Sequence, residues 1–213
     1  MSKEKNVVEF YVLCNNLKNV LRKGWLDWGV SASRVESVAE HIFGTQMLAI
    51  AMASEFNYKL DLKKVLVMLA VHETEEIIIG DLTPFQITKA EKEKIGHDAV
   101  KKVFGKLKNA KEIQNLIYEF DKQETFEAKF AKWCDKLEAD IQCKLYDEQN
   151  FVDLTKQENN KTAKDEDVSA LLSQGKTWSQ MWMEFGQNKY GYDKNFLKVS
   201  SFAKNNNILK KDD

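Results

Sequence analysis

The sequence predicts an all-α protein, a compact multi-helix bundle, on three observations. One proline and nine glycines leave few chain breakers in 213 residues. Ala, Leu, Lys, Glu and Gln, all good helix formers, are plentiful. Apolar residues also recur at three- and four-residue intervals along most of the chain, the period of an amphipathic helix.

Val8, Tyr11, Val12, Leu17, Val20 and Leu21 predict a first amphipathic helix over 7–22, ended by Gly24. After the loop GWLDWGVSAS, Ser37 and Glu40 form an S-x-x-E capping box that opens a second helix running to Phe56. On it His41 shares a face with Val38, Thr45, Leu48 and Met52, so its imidazole is expected to point inward. A third helix is expected from Leu62 to Ile79, about 27 Å long at about 1.5 Å per residue. Its first half is apolar on every side, as in a central helix packed all round, and its last turns carry His72, Glu73, Glu75 and Glu76 before Gly80.

Residues 89–104 and 109–121 read as charged outer helices, with apolar faces Ile95, Ala99, Val103 and then Ile113, Leu116, Ile117, Phe120. From Glu124 to Tyr146 a long helix aligns Phe126, Phe130, Trp133, Leu137, Ile141 and Leu145, with Asp135 bordering that stripe. The charged run from Asp153 to Asp167 is expected to be a mobile connection. Trp178, Met181, Trp182, Phe185, Tyr190, Tyr192 and Phe196 then predict one or two helices that fold back on the body or onto a second subunit, before a final KNNNILKKDD that frays.

With 32 basic and 33 acidic residues the formal charge is -1, which lacks the broad basic footprint of a nucleic-acid binder. Cys14, Cys134 and Cys143 are odd in number and without CxxC spacing, so they read as reduced packing residues of a cytoplasmic protein. The N-terminal stretch has no signal-peptide core, and no apolar run reaches the length needed to span a bilayer.

The chemistry concentrates at the end of the third helix. Carboxylates there meet the partial negative charge of a helix C-terminus, which repels them unless a positive charge is present. A divalent cation fits: His41 and His72 supply imidazoles, the acidic cluster supplies carboxylates, and one Asp from another helix would complete four mixed nitrogen and oxygen ligands. Asp135 is the best-placed donor, with Asp140 the alternative if the helical register differs. His97, in IGHDAVKK, has charged neighbours and reads as a surface residue.

The runs RVESVAEH, VHETEEIIIGDLTP and ETFEAKFAKWCDKLEADIQ, in that order, resemble the HD-domain phosphohydrolases, and within them the 5'-deoxynucleotidase group. The resemblance covers roughly Leu17 to Tyr146 and implies an HD-type helical domain over 1–150, followed by a charged connection and aromatic extension over 151–213. It implies metal ligation by His41, His72, Glu73 and Asp135, with Glu76 and Asp81 as acid/base and substrate-orienting groups. It also implies that Arg22 is a phosphate clamp and that Trp25, with Trp28 as the alternative, is an aromatic wall against the sugar. The family doublet is His-Asp, whereas this chain has His72-Glu73; glutamate keeps the charge and adds a methylene.

The activity so implied is hydrolysis of deoxyribonucleoside 5'-monophosphates, with one divalent ion (Mn, Co, Mg, Fe, Ni or Zn) activating a water and Glu76 accepting its proton. A homodimer is expected, and neither a nucleic-acid polymer nor a membrane is an expected partner. Two other readings remain: a catalytically reduced HD-type metal- or nucleotide-binding protein, and a phosphodiesterase or nucleoside-triphosphate hydrolase of the same superfamily.

Overall fold

The structure is a computed structural model that describes residues 2–83 and 86–209; at Lys89 only the backbone is described. Pro84, whose ring would stiffen the loop after Asp81, lies outside the described residues. Among these residues the chain is helical, with one isolated antiparallel bridge, Leu21 to Ser37. No described helix is long and apolar enough to cross a membrane. The chain divides into two compact units, one of Met1–Lys23 and Glu36–Lys132, the other of Gly24–Val35 and Trp133–Asp213.

The first unit opens with α1 (Lys3–Asn15), started by Ser2, whose hydroxyl accepts the Lys5 N–H. This helix is shorter than expected and faces the other way. Phe10, Leu13 and Cys14 pack on Val100, Val103, Phe104 and Ile117, while Val8, Tyr11 and Val12, expected inside, are exposed, Tyr11 at 65%. A 3₁₀ turn over Asn16–Asn19 follows. The chain then extends through Val20–Arg22 rather than remaining helical, and Gly24 lies within the short helix α2 (Lys23–Asp27) instead of ending one. The extension is fixed by Val38 N–H on the Val20 carbonyl at 2.8 Å and Arg22 N–H on the Glu36 carbonyl at 3.0 Å.

Helix α3 (Val38–Phe56) begins with the expected capping box and ends at Asn57, whose left-handed φ of 55° stops it. Helix α4 (Leu62–Val71) packs on α3 and on α7 (Ala110–Lys122). It is not packed all round: Val67 is 47% exposed. Nor does it run to Ile79. It stops at His72, and a separate turn of helix, α5 (Glu76–Ile79), follows.

Two side chains cause the break. The His72 imidazole back-bonds to the Leu69 carbonyl at 2.7 Å and the Thr74 hydroxyl to the Val71 carbonyl at 2.7 Å, taking acceptors that a continuing helix would use. The next main-chain bonds are of the tighter i to i−3 kind, Thr74 to Val71 and Glu76 to Glu73.

Helix α6 (Lys89–Phe104) starts at Thr88 with a capping box to Glu91 and packs on α5 and α7. Its buried face is Ala99, Val100, Val103 and Phe104; Ile95, expected on that face, is exposed. Helix α8 (Phe126–Glu148) contributes its residues through Lys132 to the first unit and the remainder to the second.

In the second unit Trp25, Trp28, Trp178 and Trp182 form an aromatic core with ring centroids 5.1–6.3 Å apart. The aromatic tail forms two helices, as expected, α10 (Trp178–Lys189) and α11 (Lys194–Asn205), and a short α9 (Glu166–Leu172) precedes them. They fold back within the unit, where Trp133 on α8 meets Phe196 on α11 at 5.4 Å. The charged run expected to be a mobile connection is a set of hydrogen-bonded turns. Buried Asn160 accepts from the Thr162 and Ala163 N–H groups and donates to Gln157, which itself donates to the Trp28 carbonyl. The end expected to fray is held through residue 209, since the Ile208 and Leu209 N–H groups donate to the Glu148 carboxylate.

Candidate functional site

His41 and His72 meet in the first unit. The capping box at Ser37 sets the start of α3, which puts His41 one turn in and fully buried. His72 caps the C-terminus of α4. A carbonyl can only accept, so the Nδ1 atom of His72 carries the proton donated to Leu69, which leaves Nε2 as the nitrogen that could ligate an ion. The rings lie 5.8 Å apart. Glu73 joins them: its Oε2 is 3.7 Å from His41 Nε2 and its Oε1 is 3.9 Å from His72 Nε2. His41, His72 and Glu73 each offer one donor atom, all within 4.8 Å of one another. Two imidazoles and a carboxylate, largely withdrawn from water, are a donor set that fits a divalent transition metal.

Arg22 reaches the same carboxylate from the extended segment, its Nη1 donating to Glu73 Oε1 at 3.0 Å, while its Nε is 3.8 Å from Glu36 Oε1. Burial works against the guanidinium charge, but Glu73, Asp81, Glu36 and Glu76 outweigh it and hold its pKa above the ordinary value. Asp81, after Gly80, accepts the Lys23 N–H at 2.7 Å. Asp81 does not cap the turn at Thr83, whose N–H donates to Gln86 Oε1 at 3.0 Å.

Glu76 is 1% exposed. Burial, followed by the charges of Glu73 and Asp81, pushes its pKa up to about 9 against the opposing pull of Lys92 and Arg22. The tight turn aligns Glu76 with Glu73, three residues back, rather than with His72 as a continuous helix would.

Asp135 is buried on the part of α8 that belongs to the second unit, with Lys136 Nζ 3.3 Å from its Oδ2. Asp140, the register alternative, is committed elsewhere: the Tyr192 hydroxyl donates to its Oδ2 at 2.8 Å. Trp25 is 2% exposed, ringed by Tyr146, Trp178 and Trp182. His97 pairs with Asp121 at 2.8 Å, outside the cluster.

Two groups at the site carry no distinguishing signal in the sequence, Glu36 and Lys92. The latter is one of several lysines on a charged helix, yet its Nζ donates to Glu76 Oε1 at 3.1 Å. Glu75 does not solvate the helix end but lies against Gly96, where a Cβ would be 3.4 Å from its Cγ, and burial pushes its pKa up to about 8.

The family described as "HD domain" matches residues 14–172. A protein described as 5'-deoxynucleotidase HDDC2 from Dictyostelium discoideum is 32% identical over 152 residues, 68% of this chain and 79% of its own length. One of the same description from Danio rerio is 33% identical over 146 residues, covering 67% of this chain and 70% of its own length. Among solved structures, a conserved hypothetical protein from Pyrococcus furiosus is 27% identical with a TM-score of 0.61, covering 74% of this chain and 92% of that one. A further one, described as a predicted metal-dependent phosphohydrolase from Magnetospirillum magnetotacticum, shares the fold over 98% of this chain and 94% of its own, with a TM-score of 0.64 and 23% identity. The family match over residues 14–172 and the identity to these relatives show that the chain belongs to the HD-domain phosphohydrolases of the 5'-deoxynucleotidase group.

Proposed function

We propose that this chain hydrolyses deoxyribonucleoside 5'-monophosphates to nucleoside and inorganic phosphate with one divalent metal ion. The observation that carries the reading is the convergence of His41, His72 and Glu73 beside Arg22, an ion-binding donor set next to a phosphate-binding cation. The relatives described as 5'-deoxynucleotidases supply the substrate class.

His41, His72 and Glu73 would hold the ion, with Asp135 as the fourth ligand. When bound, the ion supplies Lewis acidity, polarising the phosphate and lowering the pKa of water. Arg22 offers a planar fork of donors to the phosphate oxygens. In its ionised form, which a cation held beside Glu73 would favour by offsetting the neighbouring negative charge, Glu76 takes the proton of the attacking water as the new P–O bond forms and the P–O5' bond breaks, and that proton passes on to the departing oxygen. Asp81, anchored on the Lys23 N–H, orients the sugar or the leaving oxygen. Trp25, packed among other rings in this conformation, is the candidate aromatic wall against the sugar. All these residues fall within 1–150, which leaves 151–213 as the extension.

The test is phosphate release from a panel of deoxy- and ribonucleoside mono- and triphosphates with Mn²⁺, Co²⁺ or Mg²⁺. Release from deoxynucleoside monophosphates is expected. No release with any metal overturns the proposal, and tight nucleotide binding without turnover selects the reduced binding protein, for which Glu73 in place of Asp and its ion pair with Arg22 would be the cause. Metal analysis identifies the ion and counts it; two ions per chain favour the phosphodiesterase or triphosphatase reading.

A cytoplasmic homodimer belongs to the same proposal. Cys14, Cys134 and Cys143 are free thiols, and Val8, Tyr11 and Val12 on α1 and Phe43, Met47 and Ile50 on α3 are large exposed apolar side chains. Sedimentation velocity at micromolar concentration is expected to give the dimer mass, and a monomer there removes the dimer.

A further inference from the structure

Glu76 is gripped by a residue that lies outside the motif. Lys92 sits four residues beyond the Thr88 cap of α6, and its Nζ donates to Glu76 Oε1 at 3.1 Å and to the Leu82 carbonyl at 3.1 Å. One ammonium thus ties the carboxylate to the main chain immediately after Asp81. The other oxygen, Glu76 Oε2, is buried and has no hydrogen-bond partner among the described residues.

The two oxygens are therefore unequal. Oε1 is engaged by a cation, while Oε2 keeps its lone pairs available. An ammonium has three rotatable donors and no acceptor, so it can bind Glu76 and Leu82 together without competing for a proton that Glu76 accepts. We propose that Lys92 is the positioning residue of the base: by occupying Oε1 it orients the carboxylate so that Oε2 receives the proton of the attacking water, and by holding Leu82 it keeps the Asp81 segment in register with that oxygen. This rests on the function proposed above.

The test compares Lys92→Met, Lys92→Arg and Glu76→Gln with the wild type on 2'-deoxyadenosine 5'-monophosphate and Mn²⁺. Lys92→Met is expected to lower kcat at least about tenfold, a part of the roughly 10²–10⁴-fold that a general base supplies, while KM and the Mn²⁺ affinity measured by calorimetry stay within about twofold. Lys92→Arg, which keeps the charge and can reach both acceptors, is expected to recover kcat to within about threefold of wild type. In the Glu76→Gln background Lys92→Met is expected to cost no further rate, because residues acting as a unit are non-additive.

Three results overturn the proposal: an unchanged kcat in Lys92→Met, equal losses in kcat and Mn²⁺ affinity that Arg does not rescue, or additive losses in the double variant. Should Lys92→Met not fold, Lys92→Arg decides alone, and a folded Arg variant as slow as Glu76→Gln refutes it. If neither folds, Lys92 is a structural bridge and the proposal falls. A wild type without phosphate release refutes the activity itself, an outcome separate from all of these.

Discussion

The Glu73 carboxylate touches two kinds of partner, Arg22 at 3.0 Å through Oε1 and His41 Nε2 at 3.7 Å through Oε2. An aspartate at this position is shorter by one carbon, about 1.5 Å, and cannot span both from the same backbone. Glu73→Asp, which restores the family doublet, is expected to keep Mn²⁺ while releasing Arg22, so KM for 2'-deoxyadenosine 5'-monophosphate falls. Steady-state kinetics check this, and an equal or higher KM shows that Glu73 does not compete with phosphate for Arg22. Glu76→Gln keeps the shape and loses the proton acceptor. Its kcat is expected to drop by roughly 10²–10⁴-fold with Mn²⁺ still bound in calorimetry. The inward direction of the His41 imidazole was legible in the sequence because an imidazole on an apolar helix face is conspicuous, and both His41 and His72 are buried. Lys92 was not legible, since its partner is sixteen residues away on a different element and its helix is rich in lysines.

The two helices that deliver the histidines behave differently as elements. For α3 the start is written locally: Ser37 accepts the Glu40 N–H and the Glu40 carboxylate accepts the Ser37 N–H at 2.6 Å. Ser37→Ala removes the cap at a cost of about 1 kcal/mol, visible as a lowered melting temperature, and loosens the turn that carries His41, so Mn²⁺ affinity is expected to fall with it. An unchanged melting temperature shows that tertiary packing alone fixes α3. For α4 periodicity misled, because the run from Leu62 to Ile79 is apolar enough for one helix while the break depends on side-chain bonds from His72 and Thr74 to carbonyls of the preceding turn. Periodicity describes faces and is blind to such local competition. The same limit applies to α1, where apolar residues lie on both sides and only the position of Phe104 selects Phe10 and Leu13 for the inside.

The stability of the whole molecule should carry a pH signature opposite to that of a protein held by paired carboxylates. Asp140 shows the sign. Burial pushes its carboxyl from 3.8 up to about 8, despite the Tyr192 hydroxyl and Lys136, which favour ionisation. Between those two values the folded chain binds more protons than the unfolded chain, so unfolding free energy decreases as pH rises. The contribution is fully present below the unfolded value and is lost as pH climbs towards the folded one. Glu75, pushed up to about 8, and Glu76, pushed up to about 9, act in the same direction. Melting temperatures recorded with a chelator present are therefore expected to fall from pH 5 to pH 9. Asp140→Asn isolates one contribution: the amide cannot ionise, it can still accept the Tyr192 hydroxyl, and it adds no atom beside Gly186, where the carboxylate already lies within 2.7 Å of any added Cβ. The variant should match the wild type near pH 5 and melt higher near pH 9. Parallel pH profiles for the two proteins would mean that Asp140 is ionised in the folded state across that range, and the Asp140–Tyr192 bond would then be a charge-assisted one.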